Sequence, residues 1–128
     1  MSTGMKSGSD EFSKILAQMN QEGAFPISVL TDKEGFPIAS ATSNGQDPEK
    51  QAAVVAMVQR VANQVHSQLG MGQSNEISLY DSLGQRLVCR IFTAGRHDMI
   101  LAVQVPHREQ TYRRLTNLAI QAIRKNWE

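Results

Sequence analysis

Cys89 is the only thiol in the chain and so the only candidate sulfur nucleophile. It alternates with Leu87 and Ile91, which on a strand puts it on the apolar side. Arg90 is its neighbour in sequence but points to the opposite face, so the basic, open setting that a catalytic thiol needs is missing. The spacing makes Cys89 a small core hydrophobe. Metal chemistry has no better footing. His97-Asp98 and His107 flank an apolar run of roughly seven residues, about 23 Å of strand, too far apart to share one ion. His66 stands by itself on a helix flank. Gly70-Met71-Gly72 follows a helix instead of preceding one, so its N–H groups end that helix and cradle no phosphate, and no Gly-Lys-Ser/Thr loop occurs. Arg60, Arg86, Arg96 and Arg108 have the chemistry of an arginine finger toward a nucleotide held by a partner. Surface solubility accounts for most of them, and anchoring of an interface suits Arg60 better. The expectation is a protein with no catalytic residues, no metal site and no cofactor.

Charge and composition narrow the partners. The 128 residues carry 13 basic and 12 acidic side chains, a formal net charge of +1, without the basic surplus that neutralises phosphates. Aromatic residues make up 5%, too few for a platform on which single strands stack. No apolar run approaches the roughly 20 residues that span a bilayer. The opening Met1-Ser-Thr-Gly-Met-Lys-Ser-Gly lacks the apolar core of a secretory signal and reads as a disordered lead of residues 1–8, with Met5 as an alternative start. A lone cysteine fits a reducing compartment, so the expected location is the cytoplasm, with neither nucleic acid nor membrane insertion.

The elements that position these residues follow from periodicity and turn chemistry. Ser9-Asp10-Glu11 can cap a helix whose Phe12, Ile15, Leu16 and Met19 recur at helical spacing before Gly23. Residues 25–31 and 36–41 read as strands joined at Asp32-Lys33-Glu34-Gly35. Asp47-Pro48-Glu49 opens a second helix that runs to Leu69 and stops at Gly70, with Val54, Val58, Val61, Val65 and Leu69 as its expected core stripe. Strands at 76–80, 85–93 and 99–105 follow, the last so apolar that it is expected at the centre of the sheet, covered on both faces. A final helix carries Leu115, Leu118, Ala119, Ala122 and Ile123, with Trp127 extending the stripe. The order α-β-β-α-β-β-β-α with short turns predicts one α/β (α+β) domain over residues 9–128: a three-layer α/β/α sandwich around a five-stranded antiparallel sheet, profilin-like in layout.

The second helix points to function. In the 25 residues from Gln51 to Asn75 only Arg60 is formally charged, where the chain average of 20% predicts about five. A solvated helix face normally carries Lys and Glu, and depletion of charge marks the core of a protein interface. The expected face holds Ala52, Ala56, Gln59, Asn63 and Ser67, flanked by Ala53, Met57, Arg60 and Gln64. Strand 76–80 (Glu76, Ile77, Ser78, Leu79, Tyr80) begins the meander and is expected at a sheet edge, where unpaired backbone groups can take a second chain beside that helix.

In these features the chain resembles the Roadblock (dynein light chain) family. The resemblance rests on Asp32-Lys33-Glu34-Gly35-Phe36-Pro37-Ile38-Ala39, the Ala52-Ala53 opening of the second helix, the Leu69-Gly70 stop and Arg113-Arg114-Leu115, and it covers residues 10 to 127. Pro106-His107-Arg108 departs from it, where a glycine is expected. The resemblance implies a homodimer built by pairing second helices and third strands into a ten-stranded sheet. It also implies a non-catalytic platform that regulates a small Ras-like GTPase, for which Gln59, Arg60, Asn63 and His66 are the expected partner-binding residues. Two other readings stand beside it: a small-molecule sensory domain of profilin or PAS type, and a cytoskeletal motor adaptor.

Overall fold

The computed structural model describes residues 3–43 and 45–127, with side chains from Asp10 onward. Its elements are α1 (Thr3–Gly23), β1 (Ile27–Asp32), β2 (Pro37–Thr42), α2 (Pro48–Leu69), β3 (Glu76–Tyr80), β4 (Arg86–Ala94), β5 (His97–Val105) and α3 (Arg113–Asn126). The strands form one antiparallel sheet in the order β2-β1-β5-β4-β3. The apolar run at 99–105 therefore lies at the centre, between β1 and β4, and β3 lies at an edge, as the hydrophobic pattern required.

Two turns of the same design set the hairpins. Asp32 Oδ1 accepts from the N–H groups of Glu34 and Phe36, and Asp81 Oδ1 accepts from those of Leu83 and Gln85. Each aspartate thus adds its carboxylate to a turn whose backbone is also paired, through the Gly35 and Gly84 N–H groups that donate to the carbonyls of Asp32 and Asp81. α2 begins as its sequence dictates: Asp47 caps the N–H groups of Glu49 and Lys50, Pro48 takes the first position, and Gly70 closes the helix in the left-handed region at φ 71°.

The sheet has two unlike faces. On one, α1 and α3 bury Phe12, Leu16, Met19, Ile120 and Ile123 against Leu30, Val88, Met99, Leu101 and Val103. On the other, α2 lies over β1, β2 and β5. Its contact side is Gln51, Ala52, Val55, Val58 and Ala62. The strands beneath offer Val29, Cys89, Ile100 and Ala102, several of them small, so the helix seats closely. Gln51 Nε2 donates to the carbonyl of Ala102 (3.1 Å) and Gln104 Nε2 donates to Gln51 Oε1 (2.9 Å), which fixes the first half of the helix.

Three expectations need correction. Of the valines and leucine expected as the α2 core stripe, only Val58 is buried; Val54, Val61 and Leu69 are exposed. The helix is apolar on two sides, so periodicity gave two solutions, and the alanines at 52 and 62 decided which side could approach the sheet. In α3, Leu118 is exposed and Thr116 and Ile120 are buried in its place. Finally, α1 starts at Thr3, ahead of the cap expected at Ser9, while Met1 and Ser2 lie outside the described residues. The added turns cost little once the buried stripe from Phe12 to Met19 has nucleated the helix.

Cys89 is 1% exposed against Val55 and Ile100, and burial pushes its thiol up to about 12. Thiol reagents at pH 8 should leave it unmodified in the native protein and titrate one equivalent after denaturation, read by absorbance; rapid native labelling would contradict this burial.

Candidate protein–protein interface

Ten large apolar side chains are exposed among the described residues, and seven of them (Val54, Met57, Val61, Leu69, Met71, Leu79 and Tyr80) fall on α2, the loop after it, or β3. Met57 is 57% exposed, Val61 56% and Tyr80 67%. Val54, Met57 and Val61 follow one another at helical spacing and form a stripe on the side of α2 turned away from the sheet contact. Beside them α2 leaves the β3–β4 end of the same sheet face uncovered, so Ile77, Leu87 and Ile91 are only partly buried. A groove of about 550 Å³ runs along this step, bounded by Val54 and Lys50 on the helix and by Leu79, Tyr80 and Leu87 on the strands. Contiguous apolar surface of this kind is a recognition surface more often than a solvated one.

The residues expected at an interface are distributed as follows. Ala53, Met57, Arg60, Asn63, Gln64 and Ser67 are exposed on α2, and Leu79 and Tyr80 are exposed on β3. Ala52 is 3% exposed in the sheet contact and cannot meet a second chain, which corrects its assignment. Ala56 and Gln59 are half-buried. A Cβ built on Gly35 would stand 2.5 Å from the Ala56 Cβ, so the β1–β2 turn presses directly on the helix there. Among the expected partner-binding residues, Arg60, Asn63 and His66 are exposed. His66 Nδ1 also lies in hydrogen-bond contact with the carbonyl of Met71, tying the helix end to its own loop.

Glu76 behaves differently from the edge guard that its position on β3 implies. Its side chain reaches across the α3 side of the sheet to the Tyr112 hydroxyl, which donates to it, and to Arg113 (3.1 Å) and Arg90 (3.5 Å). Burial by itself would raise this carboxyl. The Tyr112 hydrogen bond and the two guanidiniums outweigh burial and hold it below the ordinary value of 4.5. Because the folded state titrates lower than the unfolded chain, the stabilisation is whole above about pH 4.5 and disappears as pH falls through the folded value. Glu76→Gln should lower Tm by a few degrees at pH 7, about 1 kcal/mol, and the gap to wild type should narrow progressively in thermal melts as pH falls below about 4.5.

Among the described residues no group of three or more His, Cys, Asp or Glu side chains is arranged to hold a metal ion, and no helix is long and apolar enough to cross a membrane. The loop that departs from the Roadblock pattern is pinned instead by Arg86, which donates to the carbonyls of His107 (3.1 Å) and Gln110.

The whole layout has close structural counterparts. The gliding protein MglB from Thermus thermophilus superposes with a TM-score of 0.73, covering 93% of this chain and 90% of that one at 16% identity. A Roadblock/LC7 domain from Streptomyces avermitilis matches at 0.64, over 88% of this chain and 92% of that one, at 17% identity. The fold is that of a Roadblock/LC7 domain. Myxococcus xanthus MglB shares it, with a TM-score of 0.69 and 16% identity over 91% of this chain and 84% of that one. No family model matches the sequence, and no curated protein matches it. In this Roadblock/LC7 fold the exposed stripe of α2 and Leu79 of the β3 edge face the same side of the sheet, with the uncovered part of β4 and the groove beside Val54 between them.

Proposed function

We propose that the chain is a non-catalytic homodimeric platform, a single domain over residues 9–128, that binds and regulates a small Ras-like GTPase. The observation that carries this reading is the concentration of exposed apolar side chains on α2 and β3. Two copies related by a two-fold axis would set Met57 and Val61 against their counterparts, continue the sheet edge to edge through β3, and cover the groove beside Val54. Ala53, Arg60, Gln64 and Ser67 would flank that contact, and the uncharged polar helix face costs little to desolvate. Gln59, Arg60, Asn63 and His66 then form the upper surface on which the second partner rests. The resemblance to the Roadblock family supports a GTPase as that partner, and one of the like-folded proteins is a gliding protein.

Affinity capture from a native lysate, with and without a non-hydrolysable GTP analogue, tests the partner. A Ras-like GTPase enriched by the analogue is the expected result, identified by mass spectrometry. Capture without a GTPase in either condition would remove the regulatory reading and leave the dimer to be judged by its own measurement.

A further inference from the structure

On the opposite face from α2, α3 carries Arg113, Arg114, Arg124 and Lys125 and not one acidic residue. A solvated helix of this length normally mixes both signs, which adds spaced ion pairs along the turn. Here one stripe of α3, Arg113, Asn117, Gln121 and Arg124, recurs at four-, four- and three-residue spacing and lines a cleft of about 340 Å³ with Arg90 and Glu76. Three guanidiniums meet one carboxylate, in a chain whose net charge is only +1. That carboxylate is already engaged by Tyr112, Arg90 and Arg113.

The other wall is a strand edge. β4 runs nine residues and β3 pairs with the first five; the Ile91 N–H still reaches the carbonyl of Asn75, but Phe92, Thr93 and Ala94 extend past any neighbouring strand on that side. α3 runs beside β4 in the same sense, because Arg90 meets Thr116 at one point and Arg124 Nε meets the carbonyl of Thr93 further on. The cleft is therefore elongated, cationic at both ends and lined between them by side-chain amides, which can donate to and accept from a peptide backbone.

We propose that this α3–β4 cleft binds an extended acidic segment of a partner protein, with its carboxylates on Arg113 and Arg124 and its backbone on Asn117 and Gln121. Eleven residues of helix separate the two arginines by about 16 Å. An extended chain spans that distance in about five residues, and same-face side chains recur at even spacing, so glutamates four to six residues apart fit. The site lies on the opposite sheet face from the exposed stripe of α2, and it meets the proposed dimer only at Glu76, the first residue of the β3 edge.

The test uses the full-length protein and a fluorescein-labelled ten-residue peptide of serine and threonine with two glutamates four residues apart, read by anisotropy. N117E/Q121E places carboxylates in the cleft at positions compatible with helix. R114Q/K125Q changes net charge by the same amount outside the cleft lining. The peptide should bind wild type, lose at least about tenfold in affinity to N117E/Q121E, and change by less than about threefold with R114Q/K125Q. Equal losses in the two variants would reduce the effect to net charge and overturn the proposal. So would no binding of the peptide to wild type, including the case in which phosphatidylserine vesicles bind and the peptide does not. The molar mass of each variant, measured alongside, reports separately on the dimer.

Discussion

Val61→Glu should turn a species of twice 14.1 kDa into one of 14.1 kDa in light scattering coupled to size exclusion. Val61 is more than half exposed in the single chain, so the substitution leaves the fold undisturbed, and any effect arises where a second chain covers it. A two-fold contact brings the new carboxylate close to its own copy. Burying such a charge without a partner costs about 3–5 kcal/mol, which weakens association by a factor of roughly 10² to 10³ or more. Met57→Glu, one turn earlier on the same stripe, should act alike, while Lys14→Glu on exposed α1 should leave the dimer intact. Wild-type protein running as a monomer at micromolar concentration, or an unchanged mass for both stripe variants, would remove the dimer from the proposed function. Ala56 is a poorer place for this test, because a side chain there would first strike the β1–β2 turn.

That turn contact underlies the second large effect. Gly35→Ala should lower stability by about 2–4 kcal/mol, or roughly 10 °C in Tm. Gly35 adopts φ 92°, a backbone conformation that side chains resist, and its new Cβ would lie 2.5 Å from the Ala56 Cβ and 2.9 Å from the Ala56 Cα. Neither neighbour is a flexible chain end that can swing away. Adding Ala56→Gly should relieve only the Cβ contact, because the backbone Cα stays 2.9 Å away and the left-handed backbone at Gly35 is unchanged, so G35A/A56G should recover less than half of the loss, beyond the usual cost of glycine in a helix. A Gly35→Ala protein melting within a degree of wild type would show that the turn stands off from α2.

Much of the architecture was legible because each signal was local. The Asp-x-x-Gly turns at Asp32 and Asp81, Pro48 after its aspartate cap and the unbroken apolar run of β5 each dictate a conformation through chemistry within a few residues. The rotation of α2 was not legible. With almost no charge on any side, the helix offers no polar face to orient it, and valines at 54 and 61 look as core-like as those at 55 and 58. What decides is the shape of the sheet beneath, where Ile27 and Val29 receive Ala52 and Ala102 receives Val55. The exposed stripe was nonetheless within reach of the sequence: a helix both charge-poor and apolar on two sides must present one of them outward. The role of Glu76 was out of reach, since Tyr112 is 36 residues away and Arg90 and Arg113 meet it only once β4 and α3 are in place.

The position of β5 has a kinetic consequence. The β1–β2 hairpin and the β3–β4 hairpin touch the rest of the sheet only through β5, and β1 pairs with a strand some 70 residues later, as in Ser28 with Val103. Closing so long a loop must precede the contacts that reward it. During synthesis, therefore, the first half of the chain can form hairpins and helices but no complete sheet until residues 97–105 leave the ribosome, and the inner edges of β1 and β4 stay open until then. The last strand made is the one that lets every earlier element keep its place.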